Sequence, residues 1–164
     1  MINLADLYMQ LKSYIFADLG PLGCNVFRLS TQSIGDATWT GIGFDNELED
    51  IDGCHDNSTN NTRLTAIAEG TYIVTGNAGW ESNSTGRRGL CIRHTAFVGG
   101  AETLYGRLVV AAVVADPIHL SSSALVRMEV GDYVELCGYQ NSGGNLNISY
   151  SSGNRSNFAM IRVA

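Results

Sequence analysis

The chain has 164 residues, of which 45% are hydrophobic and only 16% charged, with 19 Gly and 2 Pro. That length fits one domain, and the composition is too apolar for a disordered chain. Ten basic against 16 acidic residues leave a formal charge of −6, which excludes the cationic footprint that nucleic acids and anionic membranes select.

In chain order, residues 1–22 form the first unit. Leu4, Leu7, Leu11 and Tyr14 recur at 3-4-3 spacing, a helical period, and Gly20-Pro21 supplies the stop. The segment does not read as a secretory signal, because it lacks a basic start and Asp6, Lys12 and Asp18 interrupt its apolar residues. No apolar run has transmembrane length. The stripe suits a helix that anchors the chain or registers an oligomer; packing on its own domain is the alternative.

Residues 23–164 read differently. Alternating and β-branched runs predict strands at 26–29, 38–44, 63–67, 72–78, 89–97, 104–115, 119–128, 133–139, 146–150 and 158–163. The connectors at 56–61, 81–86, 99–100, 141–145 and 151–157 are rich in Asn, Ser and Gly. Glu69-Gly70 is expected to punctuate a hairpin between two strands. Ten short strands without a helical crossover rhythm predict an all-β sandwich.

The residues that carry chemistry are few. The acidic run Asp45, Glu47, Glu49, Asp50, Asp52 and Asp56 is expected as a polar loop. Asp45, Glu49, Asp52 and Asp56 are its candidate oxygen ligands for Ca²⁺, against the plainer reading of a solvated loop; no other cofactor is expected. Cys24, Cys54, Cys91 and Cys137 contain no CxxC and are expected as free thiols, the last two as small hydrophobes inside strands. Their spacing with His55, His94 and His119 matches no standard zinc site. The sequence has no nucleophile-elbow motif and no glycine-rich phosphate cradle.

Several fragments in order are more specific than any alone. A run from Phe44-Asp45 through Asp52-Gly53-Cys54-His55-Asp56 reaches Arg63-Leu64, and the Gly-aromatic strand Gly70-Thr71-Tyr72-Ile73-Val74 follows. Trp80, Asn83 and Thr85-Gly86-Arg87 come next, then Gly131-Asp132-Tyr133-Val134-Glu135-Leu136 and a closing strand from Phe158 to Val163. Together these resemble the C1q/TNF-like jelly-roll family, and within it the small C1q-like domains of bacteriophage virion proteins, from about Phe27 to the C-terminus. No collagen-like stalk is present.

The resemblance implies a homotrimer that binds ligands or neighbouring proteins and is not an enzyme. It implies a virion protein made in the host cytoplasm, which decorates or cements the capsid or forms a head fibre. Its partners would be its own copies and a major capsid or other virion protein, with no nucleic acid and no membrane. Some such trimers bind calcium. The alternative is the tip of a phage tail or fibre that grips a host receptor or glycan, with Trp39 and Trp80 as sugar-facing aromatics. Tyr72, Trp80, Tyr133, Tyr139, Tyr150 and Phe158 are candidate interface or core aromatics. A hydrolase acting on host polymers is a third reading, which no motif supports.

Overall fold

The computed structural model describes residues 23–50, 52–113, 116–149 and 155–164. The helix expected within residues 1–22, with Leu4, Leu7, Leu11 and Tyr14, lies outside the described residues, as does Tyr150. Within them every regular element is a strand: β1 (Gly23–Phe27), β2 (Gln32–Ile34), β3 (Thr40–Gly41), β4 (Asn46–Glu49), β5 (Arg63–Thr65), β6 (Gly70–Trp80), β7 (Arg87–Thr95), β8 (Glu102–Ala111), β9 (Ile118–Met128), β10 (Tyr133–Gln140), β11 (Leu146–Ile148) and β12 (Asn157–Arg162).

They form two antiparallel sheets. The first has seven strands, with β6 between β9 on one edge and β12 and β11 on the other, and with β1 and β4 beyond β12. The second has five, with β10 between β7 on one edge and β5 and β3 on the other, and β8 outside β7. Chain order and sheet membership interleave: β6 and β9 belong to one sheet and β7, β8 and β10 to the other. The chain therefore passes from one sheet to the other at eight of the eleven connections between these strands, as in Greek-key sandwiches.

Strand β6 shows how the sequence dictates this. Tyr72, Val74, Gly76, Ala78 and Trp80 are buried, while Ile73 and Thr75 alternate outward, the period of two that a half-buried strand requires. Facing them, Leu64, Leu90, Ile92, Val134 and Leu136 complete the core from the second sheet. Phe44 and Phe158 stack with centroids 5.7 Å apart. Burying each such side chain contributes about 1.5–3 kcal/mol, and the Trp80 ring edge comes within 3.0 Å of where a Cβ on Gly138 would stand. Of the candidate aromatics, Tyr72, Trp80 and Phe158 are thus core residues.

Two expectations are corrected. Gly70 does not punctuate a hairpin: β5 pairs with β10 and β6 with β9 and β12, so the two runs enter different sheets. A Cβ on Gly70 would sit 2.5 Å from the Ala164 carbonyl oxygen, so the glycine serves close packing against the chain's end. The acidic stretch is not all loop. Residues 46–49 form β4, an edge strand paired with β1, and its exposed Glu47 and Glu49 are the kind of charged side chains that protect an edge.

Buried polar groups fix the connections. Asp132, at the entry to β10, accepts hydrogen bonds from the Phe97 amide (2.9 Å), the Glu129 amide (3.0 Å) and His94 Nε2 (3.0 Å). Arg88 is fully buried, and its guanidinium donates to the carbonyls of Asn83, Thr85 and Arg87. It therefore pins the turn before β7 and contributes nothing to a basic surface. Gln140 Nε2 donates to the Ile34 and Gly144 carbonyls, which holds β10 to the loop before β11.

Candidate functional surfaces and the cysteine cluster

The outer face of the seven-stranded sheet is built from residues that the register places side by side. Leu125, Ile73, Ile161 and Gly23 form one row across β9, β6, β12 and β1. The next row is Ser123, Thr75, Ala159 and Asn25, and the third is Ser121, Asn77, Asn157 and Phe27. No residue of these twelve positions is charged. In the first row, Leu125, Ile73 and Ile161 are 64%, 42% and 40% exposed. Charges border the band on two sides: Arg127 pairs with Glu69, while Glu49 lies opposite Asn25 and the Arg155 guanidinium stands 4.0 Å from the Phe27 ring centre. An uncharged, partly apolar band across four strands is a surface that water solvates poorly and that a flat partner can cover. A groove of about 230 Å³ runs over it, bordered by Ile73, Thr75, Ile161, Glu49 and Asp52.

The opposite outer face has a different chemistry. A groove of about 560 Å³ is lined by Arg87, Arg107, Val109, Tyr139 and Asn141. Trp39 packs against Tyr139 with ring planes tilted by 33° and centroids 5.2 Å apart, and the Arg107 guanidinium stands 5.4 Å from the Trp39 ring centre. A bulge delivers Arg107 to this place. Leu90 pairs with Leu108 and Ile92 with Tyr105, so Gly106 and Arg107 together oppose Cys91. Trp80, expected beside Trp39 in a sugar site, is fully buried instead.

No three of the candidate Ca²⁺ ligands bring their oxygens within 4.8 Å of one another. Asp45 accepts from the Leu29 amide, Ser30 Oγ and Asn46 Nδ2. Burial pushes its carboxyl up, but these bonds and the nearby Arg28 hold it below the ordinary carboxylate value. Asp52 accepts from the Gly23 amide (3.0 Å) and Asp56 from the Ser58 and Thr59 amides. Hydrogen bonds from those amides and from the Ser58 hydroxyl keep Asp56 low as well. Glu49 lies on β4, opposite Asn25. Three of the four carboxylates thus tie down backbone, and none joins the group of metal-ligating side chains that converges among the described residues.

That group is Cys24, Asp50 and Cys54, whose ligand atoms all lie within 4.8 Å of one another. Cys24 comes from β1, while Asp50 and Cys54 flank the turn after β4. The Asp50 carboxylate accepts the amides of Cys54 (2.8 Å) and His55 (3.1 Å). Next to it, His55 Nδ1 meets Glu47 Oε1 at 3.1 Å and its Nε2 faces the Asn61 carbonyl at 3.2 Å. The Cys24 thiol is pushed far up by its contact with Cys54, by burial and by the negative charges of Asp50 and Glu47. Spacing along the chain did not reveal this cluster, because Cys24 and Cys54 meet only through the β1–β4 pairing. The second cysteine pair, Cys91 and Cys137, sits cross-strand in β7 and β10. All four cysteines are buried and unbridged, as expected of free thiols.

No family model matches the sequence, and no curated protein does. Solved structures do match in shape. The globular domain of zebrafish complement 1qA protein superposes with a TM-score of 0.62 at 16% identity, covering 88% of this chain and 98% of that one. Murine APRIL gives 0.66 at 11%, covering 88% and 100%. Eiger TNF from S. frugiperda gives 0.66 at 11%, covering 89% and 94%. These identities bear on the fold alone, and on that they agree with the strand order: the described chain has the C1q/TNF-like jelly-roll fold.

Proposed function

We propose that this chain is a non-enzymatic assembly and binding module that closes into a homotrimer through the outer face of its seven-stranded sheet. The observation that carries the reading is the uncharged band headed by Leu125, Ile73 and Ile161. Cyclic closure about a three-fold axis would cover this band in every copy at once. The expected solution mass by light scattering is three times 17.6 kDa. Leu125→Glu combined with Ile73→Glu would bury uncompensated charge at the interface and is expected to yield folded monomer. A wild-type chain that stays monomeric at micromolar concentration overturns the trimer.

Within that module, we assign the chain to the surface of a bacteriophage particle, as capsid decoration, cement or a head fibre. The support is the ordered set of motifs from Phe44-Asp45 to Phe158. Three copies presenting one outer surface would multiply weak contacts to a capsid by avidity. Cosedimentation with shells of the phage that encodes the chain, at fixed stoichiometry, is the expected result. Absence of the chain from purified particles overturns it.

A second reading, a host-binding tip, draws on the groove beside Trp39. Aromatic faces and two guanidinium groups on an otherwise acidic protein suit a glycan or protein that carries carboxylates. Trp39→Ala and Arg107→Ala would then abolish binding to host cells while leaving particle binding intact. Decoration alone predicts that neither substitution has a consequence for attachment.

A further inference from the structure

We propose that Cys24, Cys54 and Asp50 form a binding site for a divalent cation of the zinc class. The three ligand atoms already converge within 4.8 Å. A tetrahedral zinc with Zn–S near 2.3 Å places its sulfurs about 3.8 Å apart, so the ligands need only close slightly around the ion. Two sulfur donors with one carboxylate select zinc or cobalt over calcium and magnesium, which prefer oxygen throughout. The chemistry therefore differs from the oxygen-only site sought among the exposed carboxylates.

The scaffold holds the ligands before any ion arrives. Cys24 is fixed within the antiparallel pairing of β1 with β12, opposite Met160. The Cys54 carbonyl accepts the Thr65 amide at 2.8 Å, and Asp50 is oriented by two backbone amides while keeping lone pairs free. Such support is what metal sites need around their ligands. Without an ion, two buried thiols press against a carboxylate, with Glu47 close by. A dication relieves that arrangement by displacing both thiol protons: two thiols, one carboxylate and one M²⁺ give a bis-thiolate carboxylate complex and two released protons. Water completes the fourth position. Cys24 borders the groove beside Glu49 and Asp52, which the trimer would cover, and Cys54 borders another groove with His55 and Asp56, by which solvent reaches the site.

The test is titration of the reduced full-length protein with Co²⁺. The expected result is a near-ultraviolet thiolate-to-cobalt absorption that saturates at one ion per chain, with two protons released and the signal erased by added Zn²⁺. Cys24→Ser and Cys54→Ser are expected to lose the band, and Cys91→Ser to keep it. Asp50→Asn should weaken cobalt affinity at least about tenfold, since even indirect supporting groups contribute about 10–100-fold. The wild-type reading needs no variant to fold: absence of the band in the wild-type protein overturns the site. A band that survives both Cys24→Ser and Cys54→Ser overturns it equally.

Discussion

Asp132 concentrates in one side chain what the Gly-Asp-aromatic motif is for. Its carboxylate takes two amides and an imidazole nitrogen at the corner where β9 hands over to β10. Burial alone would raise its pKa, yet these donors together hold the carboxyl below its ordinary value of 3.8. A carboxyl depressed in the native state binds fewer protons there than in the unfolded chain, so its stabilisation is complete above the unfolded value. It fades as pH falls through the depressed native one. Asp132→Asn removes the charge and one acceptor, and should cost about 1–3 kcal/mol at neutral pH. Denaturant midpoints measured between about pH 6 and 2 should converge for the two proteins as acid protonates the wild-type carboxylate. A constant gap down to the lowest pH would assign the effect to shape. The sequence offered Gly131-Asp132 only as the start of a motif, and the three donors come from residues up to 38 positions away, which no local pattern encodes.

At the scale of elements, all ten strands read from alternation are present, and the two that were missed are short. Strand β2 has three residues and β4 has four. In β4, Asn46, Glu47, Leu48 and Glu49 lack the apolar alternation that flags a strand, because an edge strand paired on one side can be almost wholly exposed. The cysteine cluster was hidden for the same reason: it depends on that unsignalled pairing. Bulges are equally silent in sequence. Gly106 has φ of +57°, a left-handed conformation that costs a residue with a Cβ roughly 1–2 kcal/mol. A Cβ there would lie 2.4 Å from Ser122 Oγ, whose hydroxyl donates to the Gly106 carbonyl across the two sheets. Gly106→Ala should therefore destabilise by about 1–3 kcal/mol and disturb Arg107 beside Trp39. Adding Ser122→Ala should recover part of that loss in a double-mutant cycle; strict additivity would mean the two residues do not press on each other.

For the whole molecule, an assembly through the seven-stranded sheet links stability to concentration. Melting temperature should rise as protein concentration is increased, because mass action favours the state that self-associates. The Leu125→Glu, Ile73→Glu protein should melt lower, at a temperature independent of concentration. Calorimetry over a hundredfold dilution series distinguishes the two. The fold was legible from the strand rhythm and the order of motifs. The face that would assemble was not, because Ile73, Leu125 and Ile161 sit at outward positions of strands whose pairing only the register reveals.

The pairing of β1 with β12 has a further consequence. Gly23 lies opposite Ile161 and the Ala164 carbonyl is bonded to Thr71, so the first and last strands of the domain begin and finish side by side. A short Gly-Ser bridge could join residue 164 to residue 23, with new ends opened at the exposed Gly99-Gly100 turn between β7 and β8. Such a circular permutant should fold with the same sheets. Segments attached to the domain at residue 23 and at residue 164 would leave it from the same side, so cargo joined at both points would be carried as neighbours.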